Sequence, residues 1–292
     1  MVTVSPEQAR TLSAIMAEGT FDAAARRLHL TPSAVSQRVR ALEVAIGRPV
    51  LRRVRPVELS PAGEVVVRFA RQMEMLSADL SDQLETSANG GTPRVTLVVN
   101  GDSLHTWALP GLVEAGAEVQ LTILREDQDY SLDLLRRGAA HGAVTAVAAA
   151  VPGCTSRSLG VMRYRPVCTP AFAARWFPDG VSSASLATAP VVVYDEKDDL
   201  QDRYLRRRRT ARQPPRHFVP ATNEFGLAIE RGLGWGMLPD LQLARLPSGT
   251  LRPLTPTAHL DVPLYWQQWR LSSAALDHVA EAIMDAAHLL QR

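Results

Sequence analysis

The chain is poor in the residues that small extracellular folds and metalloproteins rely on. Among its 292 residues are two cysteines, Cys154 and Cys168. Two thiols without metal-ligand spacing build neither a disulfide framework nor a zinc site, so both are read as free. The seven histidines are scattered, with no HExxH-like pair, so no metal is expected. No run of about eighteen apolar residues is present, and the N-terminus lacks a basic-then-apolar leader; a soluble, cytoplasmic protein with no membrane partner is expected. Lysine is almost absent, and there are no lysine-rich tails, which argues against a protein that coats DNA by charge alone. There is no GxSxG elbow, no P-loop and no GxGxxG after the first strand of the larger part, and Ser103 has no visible triad partners. The chain is therefore not expected to be an enzyme, nor to need a cofactor.

What is present is enough apolar residue to build cores, 46% of the chain, and an uneven distribution of charge. Through Ser60, nine arginines face five carboxylates, giving +4. The whole chain carries +2, leaving −2 for the remainder. A basic N-terminal segment joined to a slightly acidic remainder suits a nucleic-acid reader attached to something else.

Local signals in the first sixty residues spell out three short helices. Ser5 caps the first, with Pro6 at its first position, and Gly19 ends it. Thr20 caps the second, whose stripe is Phe21, Ala24, Ala25 and Leu28. Thr31-Pro32 opens a third, running to about Val44. In this third helix Ala34, Val35, Val39 and Leu42 point inward. Ser33, Ser36, Gln37, Arg38 and Arg40 are left mostly outward, the side-chain types that hydrogen-bond base edges and phosphates in a major groove. Pro49 to Leu59 reads as two short strands around a basic wing containing Arg53 and Arg55. The spacing gives a helix-turn-helix with Thr31, Ser33, Ser36, Gln37, Arg38, Arg40, Arg53 and Arg55 as candidate contacts to double-stranded operator DNA.

Pro61 starts a longer helix, to about Leu84. Val66, Phe69, Met73, Leu76, Leu80 and Leu84 form a seam suited to packing on another helix, either in a homodimer or against its own domain. SANGGTP follows as a hinge. From residue 92 the pattern alternates. Strands are expected at Arg94–Val99, Val119–Leu124, Gly142–Val147, Pro190–Tyr194, His217–Val219, Trp235–Leu238 and Val262–Trp269. Helices are expected from about Leu104, Ser131, Asp198, Asn223 and Ser272. Such an order implies parallel α/β sheets with ligands at the carboxyl ends of strands. Asn100, Asp102 and Ser103 then stand at a strand end and helix start. Glu126, Asp127 and Asp129 follow the second strand, either as a solvated acidic loop or as partners for a cation. Thr145 ends the third strand, and Asp195, Asn223 and Glu224 supply polar groups further on. Arg206–Arg209 reads as a solvated helix end in preference to a second phosphate contact. Trp235, Trp266 and Trp269 read as core.

AARRLHLTPSAVSQRVRALEVAIG followed by LRRVRPVELSPAG closely resembles the winged helix-turn-helix of LysR-type regulators. The resemblance is strongest over roughly residues 4 to 90 and continues more loosely to the end. It implies an α/β protein organised as a winged helix-turn-helix domain (1–60), a linker and dimerisation helix with hinge (61–91), and a periplasmic-binding-protein-like two-lobed effector domain (92–292). Within the last, lobe I covers about 92–163 and 268–292 and lobe II about 164–267. It also implies a homodimer through the linker helix, a homotetramer, and contact with RNA polymerase. VVNGDSLHTWALPGL, REDQDYSLDLLRRGAAHGAV and ATNEFGLAIERGLGWGMLP resemble the ArgP/LysG branch. That branch responds to lysine and arginine and controls a basic-amino-acid exporter gene, in keeping with acidic loops; a different small metabolite is the alternative effector.

Overall fold

In the computed structural model the described residues are 3–52, 54, 56–83, 92–125, 128–210 and 212–291, the side chains of 81–83 and 128–130 excepted. The N-terminal helices are α1 (Pro6–Glu18), α2 (Phe21–Arg27) and α3 (Pro32–Ile46). Each begins on the expected cap: Ser5 in a reciprocal capping box with Gln8, then Thr20, then Thr31. Gly19 and Gly47 end α1 and α3 in the left-handed region, at φ 73° and 72°, where a Cβ is unfavourable. Strands β1 (Leu51–Arg52) and β2 (Glu58–Leu59) pair antiparallel as the wing. Helix α4 (Pro61–Gln83) closes this part. Ala9, Leu12, Ile15, Ala24, Val35, Leu42 and Val50 form its core together with Val66, Val67 and Ala70 of α4.

The remaining elements alternate. After β3 (Arg94–Val98) come α5 (Gly101–Ser103), a π-helical turn (Leu104–Ala108) and α6 (Leu109–Ala115). The helical segment thus opens three residues ahead of the expected start, so that Asp102 and Ser103 belong to its first turn. Next are β4 (Gln120–Leu124), α7 (Gln128–Arg136), β5 (Gly142–Thr145), β6 (Cys154–Cys168), α8 (Pro170–Trp176) and α9 (Ser183–Leu186). These are followed by β7 (Val191–Val193), α10 (Leu200–Arg207), β8 (Arg216–Phe218), α11 (Thr222–Glu230), β9 (Gly236–Pro239) and α12 (Asp240–Leu243). The chain closes with β10 (Arg252–Pro253), β11 (Leu260–Trp269) and α13 (Ala274–Ala286).

The chain packs as two units. The first comprises Met1–Val99, Leu112–Arg157 and Trp266–Ile283; the second comprises Asn100–Gly111, Ser158–Tyr265 and Met284–Arg292. In the first, β3 pairs parallel with both β4 and β5, as βαβ order requires, and β11 continues the sheet beyond β5. Trp266 and Trp269 are fully buried there, as core residues. In the second unit β7 and β8 pair parallel, while β9 and β10 each pair antiparallel with β6. Val167, Val192, Phe225, Ile229 and Leu238 form its core. The chain passes between units within β6 and again within β11.

Candidate DNA-reading face and effector site

Helix α3 sorts its side chains cleanly. Val35, Val39 and Leu42 are buried, whereas Ser33, Gln37 and Arg40 are exposed and Ser36 is half-buried. Ser33, Gln37 and Arg40 recur at intervals of four and three, so they share one stripe on the solvent side. Thr31 is exposed, and its Oγ1 is already occupied, accepting the Ala34 N–H at 3.1 Å. Arg38 departs from the expected outward group. It is half-buried and its Nη1 lies 3.5 Å from the Thr11 hydroxyl of α1, because its position on the helix turns it toward the neighbouring element. In the wing, Arg52 faces Glu58 at 3.6 Å; Arg53 and Arg55 lie outside the described residues.

On α4 the apolar residues divide between two faces. Val66 is buried in the domain core and Met73 packs against it, so these two members of the expected seam hold the helix to its own domain. Phe69, Leu76 and Leu80 remain 41, 43 and 56% exposed, joined by Val65 at 56%. Among the described residues this stripe is left exposed; Leu84 lies outside them.

The second unit holds the strand-end polar groups. Asn100 precedes α5 without capping it through its side chain. Its Oδ1, the Ser103 Oγ and the Trp107 Nε1 are buried and find no hydrogen-bond partner among the described residues. Residues 100, 103 and 107 recur at helical spacing along a segment that widens into a π-turn, a distortion often found at functional sites. Arg245 supports that turn by donating to the carbonyls of His105 and Thr106. Asp102 accepts a 2.8 Å hydrogen bond from the Tyr164 hydroxyl, contributed by β6 from 62 residues away. Burial pushes the Asp102 carboxyl up to about 6, the Tyr164 hydrogen bond opposes this, and the charge of Asp198 adds to it. Burial, then the Asp102 charge, raises Tyr164 well above an ordinary phenol. What acts on Asp102 is thus enclosure, a phenol and another carboxylate, and none of the three is a cation.

Asp195 serves mainly the backbone: its Oδ1 accepts from the amides of Lys197 and Asp198 at 2.8 and 3.0 Å. The carboxylate that burial raises here is Asp198, held by the amides of Tyr194 and Leu200 at 3.3 and 3.1 Å. Asn223 and Glu224 point to solvent; the buried unpartnered group at the start of α11 is the Thr222 Oγ1. In the first unit, Thr145 is buried and its Oγ1 accepts from the Val147 amide, a turn-forming role. Glu126 and Asp127 lie outside the described residues, as does the side chain of Asp129, whose backbone belongs to the first turn of α7. Tyr164, Asp198 and Thr222 were not legible as candidate site residues. The irregular burial of β6 conceals the strand that carries Tyr164, and Asp198 is one of four aspartates between 195 and 202. Arg206–Arg209 closes α10, with Arg206 67% exposed, as a solvated helix end.

Two family signatures cover most of the chain. Residues 6–64 match the bacterial regulatory helix-turn-helix proteins of the lysR family, and residues 88–288 match the LysR substrate-binding domain. The chain belongs to the LysR family of bacterial transcriptional regulators. It is 40% identical over 288 residues to the lysine export transcriptional regulatory protein LysG of Corynebacterium glutamicum, covering 97% of this chain and 98% of that one. The crystal structure of ArgP from Mycobacterium tuberculosis superposes with a TM-score of 0.93 at 40% identity, covering 99% of each chain. Full-length LysG of C. glutamicum with bound effector Arg superposes at 0.86 and 39% identity, covering 99% of this chain and all of that one. The fold class is thus an N-terminal helix-turn-helix domain followed by a two-lobed α/β effector domain. Among the described residues no helix is long and apolar enough to cross a membrane.

Proposed function

We propose that this chain is a sequence-specific transcriptional regulator that reads operator DNA with α3 and responds to arginine or lysine, controlling export of basic amino acids. Ser33, Ser36 and Gln37 approach bases, while Arg40, Arg53 and Arg55 meet phosphates. The observation that carries the effector half is Asp102: an enclosed carboxyl, influenced by a phenol and a second carboxylate, becomes favourable as an anion when a cationic group arrives. Asn100, Ser103 and Trp107 offer unsatisfied polar atoms suited to the rest of an amino acid. Asp198, a second carboxyl that burial raises in the same unit, extends the acidic character. The arginine bound to the LysG relative supports this reading.

The working assembly is a homodimer through Val65, Phe69, Leu76 and Leu80, paired into a tetramer, acting in the cytoplasm on promoter DNA and RNA polymerase. Residues 1–60, 61–91 and 92–292 divide the work as reader, connector and sensor. The test is competition between promoter fragments selected by the full chain from its source genome and random duplex of equal length. Specific binding tighter by about 10³-fold or more supports the proposal; equal affinity for both contradicts it.

A further inference from the structure

Helix α4 has a third face besides the buried and the apolar ones. Glu64, Arg68 and Arg71 are spaced four and three apart and so form a single stripe. All three engage the α/β part of the same unit. Arg68 Nη1 donates to the Pro152 carbonyl at 2.9 Å, and Arg71 Nη1 to the Gly138 carbonyl at 2.6 Å. Glu64 Oε1 forms a salt bridge with Arg137 Nε at 3.2 Å. The fit is made backbone to backbone. Gly138 sits at φ 73°, and a Cβ there would lie 2.8 Å from the Arg68 Cα. Gly153, at φ 85°, leaves room for the Arg68 guanidinium, which a Cβ would touch at 3.7 Å.

The contact is also coupled inward. Burial pushes the Arg71 guanidinium below its ordinary range. Burial, with the Arg71 charge added, lowers His141 to about 4, so that residue is neutral. His141 accepts the Thr96 amide at 3.1 Å and packs on the Trp269 ring at 4.6 Å. The turn that receives α4 is therefore tied to β3 and β11. It also links the end of α7 to the start of β5. A half-buried guanidinium that has lost part of its hydration is costly to strip of its partner, so this joint favours two discrete states, seated or released.

We infer that the Glu64–Arg68–Arg71 face of α4 is a latch within one chain, and that seating or releasing it on the Arg137–Ala140 turn transmits the sensor's state to the DNA-reading helices. The inference rests on the regulator reading above, and the experiment separates the two. Full-length wild type and an Arg68→Met/Arg71→Met variant are first tested for binding to the selected promoter fragment. Amide exchange over residues 134–141 is then followed with and without that DNA. In the wild type, DNA should change exchange in this turn by about tenfold or more. In the variant, exchange should be fast already and indifferent to DNA. L-arginine should shift DNA affinity in the wild type and leave it within about twofold in the variant, since coupling is reciprocal. Gly138→Ala, whose Cβ would press on the Arg68 backbone and force the same surfaces apart while leaving both guanidinium groups in place, should reproduce the variant and stands in if the double substitution fails to fold. Absence of DNA binding by the wild type overturns the regulator reading and the latch with it. DNA binding with an unresponsive wild-type turn, or a variant that responds like wild type, overturns the latch alone.

Discussion

The proposed DNA-reading face and the proposed effector site are built by opposite means. On α3 the functional side chains lie on the outside of one helix, and the helix is specified by its own caps, its proline and its terminal glycine. In the second unit the proposed effector groups lie inside. The hydrogen bond that defines the site joins residues 62 positions apart, Tyr164 and Asp102. An exposed face reads charge and shape on a long polymer and tolerates solvent. An enclosed carboxyl discriminates a small cation, because leaving it unpaired is what costs energy. One region can therefore be disabled without silencing the other, and five expected outcomes sharpen that division.

The largest is Gly63→Ala. A Cβ at residue 63 would lie 2.0 Å from the Val50 carbonyl oxygen, a backbone atom that cannot yield without moving β1 away from α4. So close an overlap exceeds the usual overpacking cost of about 1–3 kcal/mol and should unfold the N-terminal domain and abolish DNA binding, with arginine binding retained by calorimetry. Next is Asp102→Asn, which keeps the shape and removes the charge. Removing one member of a buried charge pair costs about 2–5 kcal/mol, so arginine affinity should fall at least about 30-fold, while DNA affinity without effector stays unchanged. Unliganded thermal stability at pH 8 should hold or rise.

Smaller effects separate readers from anchors. Gln37→Ala should cost about 1–3 kcal/mol on the selected promoter and nothing on random duplex. Arg40→Ala or Arg55→Ala should weaken both alike and reduce the salt slope by about one. Measured binding across a salt series distinguishes them. The smallest effect is a proton. Burial pushes the Asp102 carboxyl up to about 6, above the ordinary carboxylate range. The folded form binds that proton more tightly than the unfolded chain does, so its contribution to stability is present at low pH and is lost as pH rises through about 6. A cationic effector pulls the carboxyl back toward its ordinary range. Arginine binding should therefore release close to one proton near pH 5 and almost none at pH 8, with affinity rising between them. Calorimetry in buffers of differing ionisation enthalpy reads this directly.

The same contrast governs what the sequence made legible. Ser5, Thr20 and Thr31 announce helix starts through chemistry confined to a few residues, and each cap is found where it was expected. The parallel strands β3, β4 and β5 follow from short apolar runs between helices. Strand β6 was overlooked because its burial alternates only over part of its length, and with it went Tyr164. The early start of the segment after β3 escaped because Gly101-Asp102-Ser103 reads as a loop, and the π-turn beyond it has no sequence period of its own. On α4 Val65, Val66 and Val67 are chemically alike, and only packing sends Val66 and Val67 into the core and leaves Val65 exposed. Asp195 and Asp198 carry the same side chain three residues apart; the fold, through amide hydrogen bonds and burial, gives one to a turn and encloses the other.

The most direct test of the account is calorimetric titration of the full chain with arginine and lysine, set against a neutral and an acidic amino acid. Selective binding of the basic pair, lost in Asp102→Asn, is the result the account predicts. Binding of a neutral or acidic amino acid with no heat from arginine or lysine would contradict it, leaving a DNA-binding regulator whose enclosed carboxyl answers to a different ligand.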